Sequence, residues 1–299
     1  MLLRAFAKIN WTLDITGTRE DGYHYMDMLM QPVSLADEIT LLPAERLLFT
    51  AEGDPAIPLD ETNLAVQAVR ALERETSRPL PCSIHIRKRI PSGAGMAGGS
   101  ADAAAVLIGV NRFFGLGLDM ETLCRIGLGL GTDVPFCLRG GLVRTRGIGE
   151  QLDVQETSPV YPLVILKPEG SLRTGDIFRA WEALKHPSAP RNDDALAALK
   201  SGTVRASADA FANVLQPAAE SFLPEIRDAV ADLKKEGAFL SLMTGSGSAV
   251  FGVFSTARDA ESAAGRLSAR WQKVYPCESQ PESVQFGKDA APETEEIVP

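Results

Sequence analysis

Apolar and polar positions alternate most regularly in the opening stretch of the chain. From Leu3 to Ile15 every odd-numbered position is apolar, whereas Lys8 and Asn10 lie among the even-numbered positions. Successive side chains of a strand point to opposite faces, so this period of two predicts a β-strand over residues 3–15. The face that carries Lys8 and Asn10 either contacts water or lines a polar site. This pattern alone favours the solvent-exposed face.

A second alternating stretch, from Ser83 to Ile90, leads through a run of glycines into a helical pattern. After Pro91, four of the seven positions from 93 to 99 are glycine. Apolar residues then recur at helical spacing over 106–114. Glycines let a backbone approach a ligand closely, and the free amides at a helix N-terminus attract anions. The succession of strand, glycine loop and helix therefore predicts a phosphate-binding loop.

Other interpretations of the glycine run are weaker. The glycines at 93, 95 and 98 also satisfy the dinucleotide-binding pattern, which would indicate an oxidoreductase. That pattern requires an acidic residue at the end of a second strand about twenty residues further on, whereas Asp119 begins a helical pattern. The P-loop signature of nucleoside triphosphatases, Gly-x-x-x-x-Gly-Lys-[Ser/Thr], does not occur in the sequence. A glycine-rich turn that only packs a helix against a sheet remains the simplest alternative.

The remaining pattern predicts an α+β protein with two layers and two domains. The predicted strands cover residues 28–42, 47–51, 142–146, 161–168, 240–243 and 249–254, and the predicted helices cover 63–75, 119–130, 174–185, 192–201, 204–215 and 224–236. A polar segment that contains proline follows residue 153 and predicts a boundary. The expected units are an N-terminal domain of residues 1–153, a C-terminal domain of residues 154–286 and an acidic, disordered tail of residues 287–299.

Composition and charge restrict the class of protein. The 299 residues have a net charge of −9, which disfavours general binding to nucleic acid. No apolar run approaches the roughly 18 residues of a membrane-spanning helix. Four scattered cysteines without metal-ligand spacing indicate a reducing compartment, so we expect a cytoplasmic protein. Positive charge for a phosphate ligand must be local, and Arg87, Lys88 and Arg89 before the loop supply it.

Three motifs, in the same order along the chain, resemble those of the GHMP small-molecule kinases. The first is Ala7-Lys-Ile-Asn10 in the opening strand, and the second is the loop Pro91-Ser-Gly-Ala-Gly-Met-Ala-Gly-Gly-Ser100. The third is the C-terminal Met243-Thr-Gly-Ser-Gly-Ser-Ala-Val-Phe251. The resemblance extends from residue 5 to about residue 254. The loop departs from the family pattern at Ala97 and at Ala101-Asp102, where many members carry glycine and Ser-Asn.

This resemblance implies a GHMP-kinase fold with the active site in the cleft between two domains. It also implies transfer of a phosphoryl group from ATP, with Mg²⁺, to an alcohol. By the resemblance, Asp133 accepts the proton of the attacking hydroxyl group and Lys8 stabilises charge on the attacking oxygen. On spacing alone, Asp133 is more simply the N-cap of a short helix. The residues implied for nucleotide binding are Asn63, Lys88, Pro91, Ser92, Gly93, Ala94, Gly95, Met96, Ala97, Gly98, Gly99, Ser100 and Ala101. The metal ligands stay open, with Ser100 a candidate for contact with phosphate or Mg²⁺.

Narrower motifs resemble the family members that phosphorylate a cytidylylated sugar alcohol in the non-mevalonate route to isoprenoid precursors. These motifs are Asp21-Gly-Tyr-His24, Gly131-Thr-Asp-Val-Pro-Phe136 and Pro190-Arg-Asn192. The implied acceptor is a small molecule with a cytidine diphosphate group, and the implied binding residues are Asn10, Tyr23, His24 and Phe178. Kinases of the homoserine or mevalonate type share the glycine loop and are the main alternative. A monomer and a homodimer are both compatible with the sequence.

Overall fold

The computed structural model describes residues 1–20, 22, 24–184 and 189–287. Tyr23 and the predicted acidic tail from residue 288 onward therefore lie outside the described residues. The described chain contains two β-sheets with helices packed on them, which agrees with the predicted α+β class. Within those ranges, none of the helices is long and apolar enough to cross a membrane.

The opening strand belongs to a seven-stranded sheet. Its strands are β1 (Leu2–Thr18), β2 (His24–Pro43), β3 (Leu48–Glu52), β4 (Cys82–Arg87), β5 (Val143–Gly147), β6 (Gln151–Val154) and β11 (Val284–Phe286). The main path runs β11-β1-β2-β4-β3, and β5 pairs with the other half of β2 and with β6. Only β3 and β4 run parallel among these pairs of described strands.

The second half of the chain forms a four-stranded antiparallel sheet and most of the helices. The strands are β7 (Pro162–Leu166), β8 (Leu240–Met243), β9 (Val250–Val253) and β10 (Val274–Glu278), in the order β10-β7-β9-β8. The helices of the described chain are α1 (Leu64–Thr76), α2 (Gly98–Phe113), α3 (Met120–Leu128), α4 (Val134–Arg139), α5 (Thr174–Ala183), α6 (Asn192–Ser201), α7 (Gln216–Phe222), α8 (Glu225–Lys235) and α9 (Ala257–Leu267).

The pairing of β1 with β2 is interrupted where β1 carries its polar residues. The register shifts between Phe6 and Lys8 and again between Asn10 and Thr12. Such irregularities leave backbone groups free of the ladder. The backbone N–H of Lys8 donates instead to the carbonyl oxygen of Met96 in the glycine loop, at 3.1 Å. The opening strand is therefore bonded directly to the loop that follows β4.

Trp11 of β1 lies where the two sheets meet. Its side chain is fully buried and makes edge contacts with Tyr161, Phe211 and Phe251, at ring-centroid distances of 5.3, 6.3 and 5.7 Å. Its indole N–H donates to the Gln31 side chain at 3.0 Å. Aromatic pairs of this geometry stabilise a core beyond the area that they bury. One residue of the first strand thus contacts strand β9 of the second sheet.

The structure confirms most of the predicted elements and corrects one of them. The predicted helix over residues 204–215 is wrong, because only residues 208–210 form a short 3-10 helix there. Asn213 forms a β-bridge with Leu13, and its side-chain amide donates to the carbonyl oxygens of Met243 and Gly245. The domain division at residue 153 stays a prediction. The last described strand, β11, pairs with β1 and so belongs to the first sheet.

Candidate active site

The glycine loop between β4 and α2 adopts a left-handed backbone at three positions. Gly93, Gly95 and Ala97 have φ values of +62°, +74° and +56°. Glycine takes this conformation without strain, whereas alanine does so at a cost of about 1–2 kcal/mol. Ala97 is the position at which many family members carry glycine. Ala97 therefore holds a backbone conformation that glycine would adopt without strain.

The glycine loop touches the loop between β8 and β9 backbone to backbone. A Cβ atom on Gly95 would lie 2.3 Å from the carbonyl oxygen of Thr244, and one on Gly245 would lie 2.7 Å from the carbonyl oxygen of Gly95. The Ala249 amide also donates to the carbonyl oxygen of Ala94 at 3.1 Å. Only glycine fits at Gly95 and Gly245, because any side chain there would overlap backbone atoms of the opposite loop.

The start of α2 presents backbone amides that no side chain caps. Ala97 occupies the N-cap position and has no polar side-chain group with which to cap the first amides of the helix. Those amides and the helix dipole are therefore available to a phosphate. A cavity of about 290 Å³ opens here, and its lining is Leu64, Lys88, Ile90, Pro91, Ser92, Gly93, Ala94, Gly95, Met96, Ala97, Gly98, Gly99 and Ser100.

Most of the residues predicted to bind the nucleotide line this cavity, and two do not. Ala101 is buried inside the first turn of α2. Asn63 is the N-cap of α1, where its side-chain oxygen accepts from the Ala65 amide at 2.9 Å and its side-chain amide donates to Pro58. Asn63 thus caps α1, and its predicted contact with the nucleotide stays a prediction.

Lys8, Asn10 and Asp133 come together beside the glycine loop. The Lys8 ammonium group donates to the Asn10 side-chain oxygen at 2.5 Å and lies 3.9 Å from a carboxylate oxygen of Asp133. Lys8 is buried, with 4% of its surface exposed, whereas the Asp133 side chain is 32% exposed. The Thr244 hydroxyl group accepts from the backbone N–H of Asn10 at 2.9 Å. A buried cation and an accessible carboxylate thus face the same space.

Asp133 stands at the N-cap of α4, which is the position that spacing alone predicts. Among the described residues, its carboxylate nevertheless accepts no capping hydrogen bond from the first amides of that helix. The side chain lines a second cavity of about 290 Å³, together with Lys8 and Asn10. Its helix position fixes the backbone, and the carboxylate remains available to a ligand.

The cavities join into one cleft. The cavity around Lys8 and Asp133 shares Gly95 and Ala97 with the glycine-loop cavity. On its other side it meets a third cavity, of about 570 Å³, that contains His24. The residues common to these last two cavities are Met26, Thr132, Thr174 and Phe178. The glycine loop, the Lys8–Asp133 pair and His24 therefore lie in sequence along one path.

His24 is held by an aromatic and acidic cluster at the far end of this cleft. Its ring stacks on Phe178 at a centroid distance of 4.9 Å and meets Trp181 edge-on at 5.8 Å. The Nε2 atom of His24 lies 2.9 Å from a carboxylate oxygen of Glu182. The structure thus brings together His24 and Phe178, two of the predicted substrate residues, whereas Tyr23 lies outside the described residues.

Sequence reasoning missed several residues that shape the site. Thr244 was visible only as a member of the third motif, although its hydroxyl group accepts a hydrogen bond from the backbone of β1. Glu182 gave no signal, because it is separated from His24 by 158 positions. Across the described ranges, no group of three or more His, Cys, Asp or Glu side chains is arranged to hold a metal ion.

Comparison with known proteins identifies the family of this chain and its relatives. The family model for the GHMP kinases N terminal domain matches residues 63–141, and the model for the GHMP kinases C terminal domain matches residues 195–273. A 4-diphosphocytidyl-2-C-methyl-D-erythritol kinase of Moorella thermoacetica is 40% identical over 280 residues, which is 92% of this chain and 96% of that protein. The corresponding kinase of Caldicellulosiruptor saccharolyticus is 38% identical over 269 residues, covering 89% of this chain and 92% of the relative.

Solved structures show the same fold. A crystal structure of 4-(cytidine 5'-diphospho)-2C-methyl-D-erythritol kinase has a TM-score of 0.80 and 32% identity, and the match covers 93% of this chain and 99% of that one. Homoserine kinase from Cytophaga hutchinsonii has a TM-score of 0.73 at 18% identity, with 95% and 96% coverage. At 18% identity, the comparison with the homoserine kinase shows a shared fold and nothing more.

The contact between the two loops predicts an effect of Gly95→Ala on nucleotide binding. We expect Gly95→Ala to weaken binding of a non-hydrolysable ATP analogue at least ten-fold, because its methyl group would push the glycine loop away from Thr244. Gly117→Ala is the matched control, since Gly117 has a φ of +70° and no atom within 4 Å of an added Cβ. Both variants carry the same backbone strain, so calorimetric titration that shows equal affinity for the two would contradict the role of the contact.

Proposed function

The chain belongs to the GHMP kinase family, and we propose that it transfers the γ-phosphoryl group of ATP to the 2-hydroxyl group of 4-diphosphocytidyl-2-C-methyl-D-erythritol. The family makes it an ATP-dependent small-molecule kinase. The observation that carries the choice of acceptor is the continuous cleft from the glycine loop, past Lys8 and Asp133, to the His24 cluster. A long acceptor with a base at one end and a hydroxyl group at the other fits this path.

The glycine loop and the start of α2 would hold the triphosphate of ATP. The uncapped amides of α2 can donate to phosphate oxygens, and the left-handed turns at Gly93 and Gly95 aim loop backbone at the same space. Phosphoryl transfer depends mainly on positioning and on neutralising charge, so a rigid cradle serves both needs. The contact with the Thr244 loop keeps the cradle in place.

Asp133 and Lys8 would act on the acceptor hydroxyl group. An aliphatic alcohol is a weak acid, so a carboxylate within hydrogen-bond reach is the natural acceptor of its proton as the oxygen attacks. Lys8 lies 3.9 Å from that carboxylate and faces the same cavity, where it can stabilise the charge on the attacking oxygen. The hydrogen bond from Lys8 to Asn10 fixes the direction of the ammonium group.

Mg²⁺ fits the site only as a partner of the nucleotide. Mg²⁺ commonly binds substrate phosphates with one or two protein oxygens and keeps several waters, so it needs no cage of carboxylates. The described residues contain no such cage, and the Ser100 hydroxyl group, in the lining of the glycine-loop cavity, is the protein oxygen that would hold the ion. When bound, it would neutralise charge on the phosphates.

The His24 cluster would bind the cytosine base. Phe178 offers an aromatic face, and Glu182 orients the His24 ring by holding Nε2. This combination suits a planar group with polar edges. Homoserine and mevalonate carry no such group, so the cluster favours the cytidylylated acceptor over the acceptors of those related kinases.

The acceptor assignment is tested by measuring ADP release with Mg·ATP and one alcohol at a time. We expect turnover with 4-diphosphocytidyl-2-C-methyl-D-erythritol and none above background with homoserine, mevalonate or no acceptor. The uncytidylylated 2-C-methyl-D-erythritol is the matched control, because it presents the same hydroxyl group without the base. Turnover of homoserine or mevalonate at a comparable kcat/KM would contradict the assignment and leave the family intact.

The role of Asp133 is tested by Asp133→Asn. We expect kcat to fall by about 10²–10⁴-fold, because the amide cannot accept the proton, while the affinity for an ATP analogue stays within two-fold. Asp119→Asn is the matched control, since Asp119 is also a helix N-cap, exposed and remote from the cleft lining. Asparagine caps as well as aspartate does, so this variant should keep wild-type turnover. An active Asp133→Asn enzyme would exclude Asp133 as the proton acceptor.

A further inference from the structure

Three charged side chains are buried together beneath the glycine loop. Asp37 of β2 is fully buried, Asp102, the fifth residue of α2, is 5% exposed, and the Lys88 side chain just after β4 is 6% exposed. The Lys88 ammonium group binds a carboxylate oxygen of Asp37 and lies 2.6 Å from one of Asp102. One cation is thus shared by two carboxylates that come from different elements.

Asp37 also holds the backbone at the start of the loop. Its second oxygen accepts from the amides of Arg89 and Ile90, at 2.6 and 2.8 Å. These are the last two amides before Pro91, so Asp37 fixes the direction in which the chain leaves β4. Hydrogen bonds from backbone amides to a carboxylate are among the stronger ones in proteins.

The cluster reaches the other end of the loop through Lys88. Asp102 follows the loop as the fifth residue of α2, so the path from Asp37 through Lys88 to Asp102 connects the two ends of the loop. The Lys88 ammonium group also lies under Gly98, because a Cβ atom on Gly98 would be 3.5 Å from it. Both ends of the phosphate cradle are therefore tied to the same buried group.

Stability alone explains this cluster poorly. Removing charges from water is costly, and replacing a buried ion pair with apolar side chains is often neutral or stabilising. The second oxygen of Asp102 has no hydrogen-bond partner among the described residues. Burial raises the pKa of Asp102 well above its usual range, although the Lys88 ammonium group acts against this. Because burying these groups costs free energy, the cluster indicates a role in holding the geometry of the loop.

We propose that Asp37, Lys88 and Asp102 position the glycine loop for the phosphates of ATP, and that Lys88 is a positioning residue. This proposal rests on the proposed function, because it assigns the loop to ATP. It gives Lys88 a role other than direct contact with the nucleotide, since two carboxylates hold the ammonium group below the loop. A cradle that binds by backbone amides needs its path fixed closely, because small displacements of such groups cost large factors in rate.

The two roles of Lys88 predict opposite effects of Asp37→Asn. If Lys88 is a direct ligand, release from Asp37 leaves ATP binding unchanged or strengthens it. If the cluster positions the loop, Asp37→Asn loosens the loop, and we expect at least ten-fold weaker binding of a non-hydrolysable ATP analogue. In steady state, KM for ATP should rise by a similar factor, while KM for the acceptor stays within two-fold.

Asp27→Asn is the matched control for these measurements. Asp27 lies on the same strand and is paired with Arg144 in an ion pair that is also mostly buried, with side chains 15% and 12% exposed. This variant loses a comparable interaction without a link to the glycine loop, so its affinity for the ATP analogue should match that of the wild type. Equal weakening in both variants would show a general loss of stability and would overturn the proposal.

Hydrogen exchange in the absence of nucleotide keeps the proposal testable without turnover. We expect amides of residues 89–100 to exchange faster in Asp37→Asn than in the wild type, with no such change in Asp27→Asn. Unchanged exchange and unchanged ATP-analogue affinity in Asp37→Asn would refute the positioning role. Failure of the acceptor assignment would leave these results untouched, because neither measurement contains an acceptor.

Discussion

The contact between the glycine loop and the loop between β8 and β9 is the constraint on which the site depends. Gly95 and Gly245 approach so closely that neither has room for a Cβ atom, and the contact joins the loop before α2 to the loop between β8 and β9. The first loop is attached to the seven-stranded sheet and the second to the four-stranded sheet. The glycine loop is therefore fixed relative to both sheets, and it forms the floor of the cleft between them.

Strand β1 connects the glycine loop to the Lys8 side chain. Its Lys8 amide donates to the glycine loop and its Asn10 amide donates to the Thr244 hydroxyl group. Its Trp11 ring packs against Phe251 of the second sheet. The interrupted pairing with β2 makes the first of these bonds possible. The same strand thus holds the Lys8 ammonium group 3.9 Å from the Asp133 carboxylate, so that this pair and the glycine loop share one support.

Local sequence predicted the parts of the site that depend on neighbouring residues. The strand, glycine loop and helix followed from periodicity, and the motif resemblance added Lys8 and Asp133 to them. Contacts between distant positions were not predictable in this way. Lys88 was predicted as positive charge beside the loop, but its partner Asp37 lies 51 positions earlier in the chain. The helix predicted over 204–215 failed because Asn213 bonds to Leu13 and to the second loop, and these tertiary bonds outweigh helical propensity.

A crystal structure with a non-hydrolysable ATP analogue and 4-diphosphocytidyl-2-C-methyl-D-erythritol bound together tests the arrangement of the cleft most directly. We expect the terminal phosphate on the amides of residues 93–99 and the 2-hydroxyl oxygen within hydrogen-bond distance of the Asp133 carboxylate. The cytosine ring should lie against Phe178 and His24. A complex with the acceptor hydroxyl group remote from Asp133, or with the base outside the His24 cluster, would contradict the proposed path through the cleft.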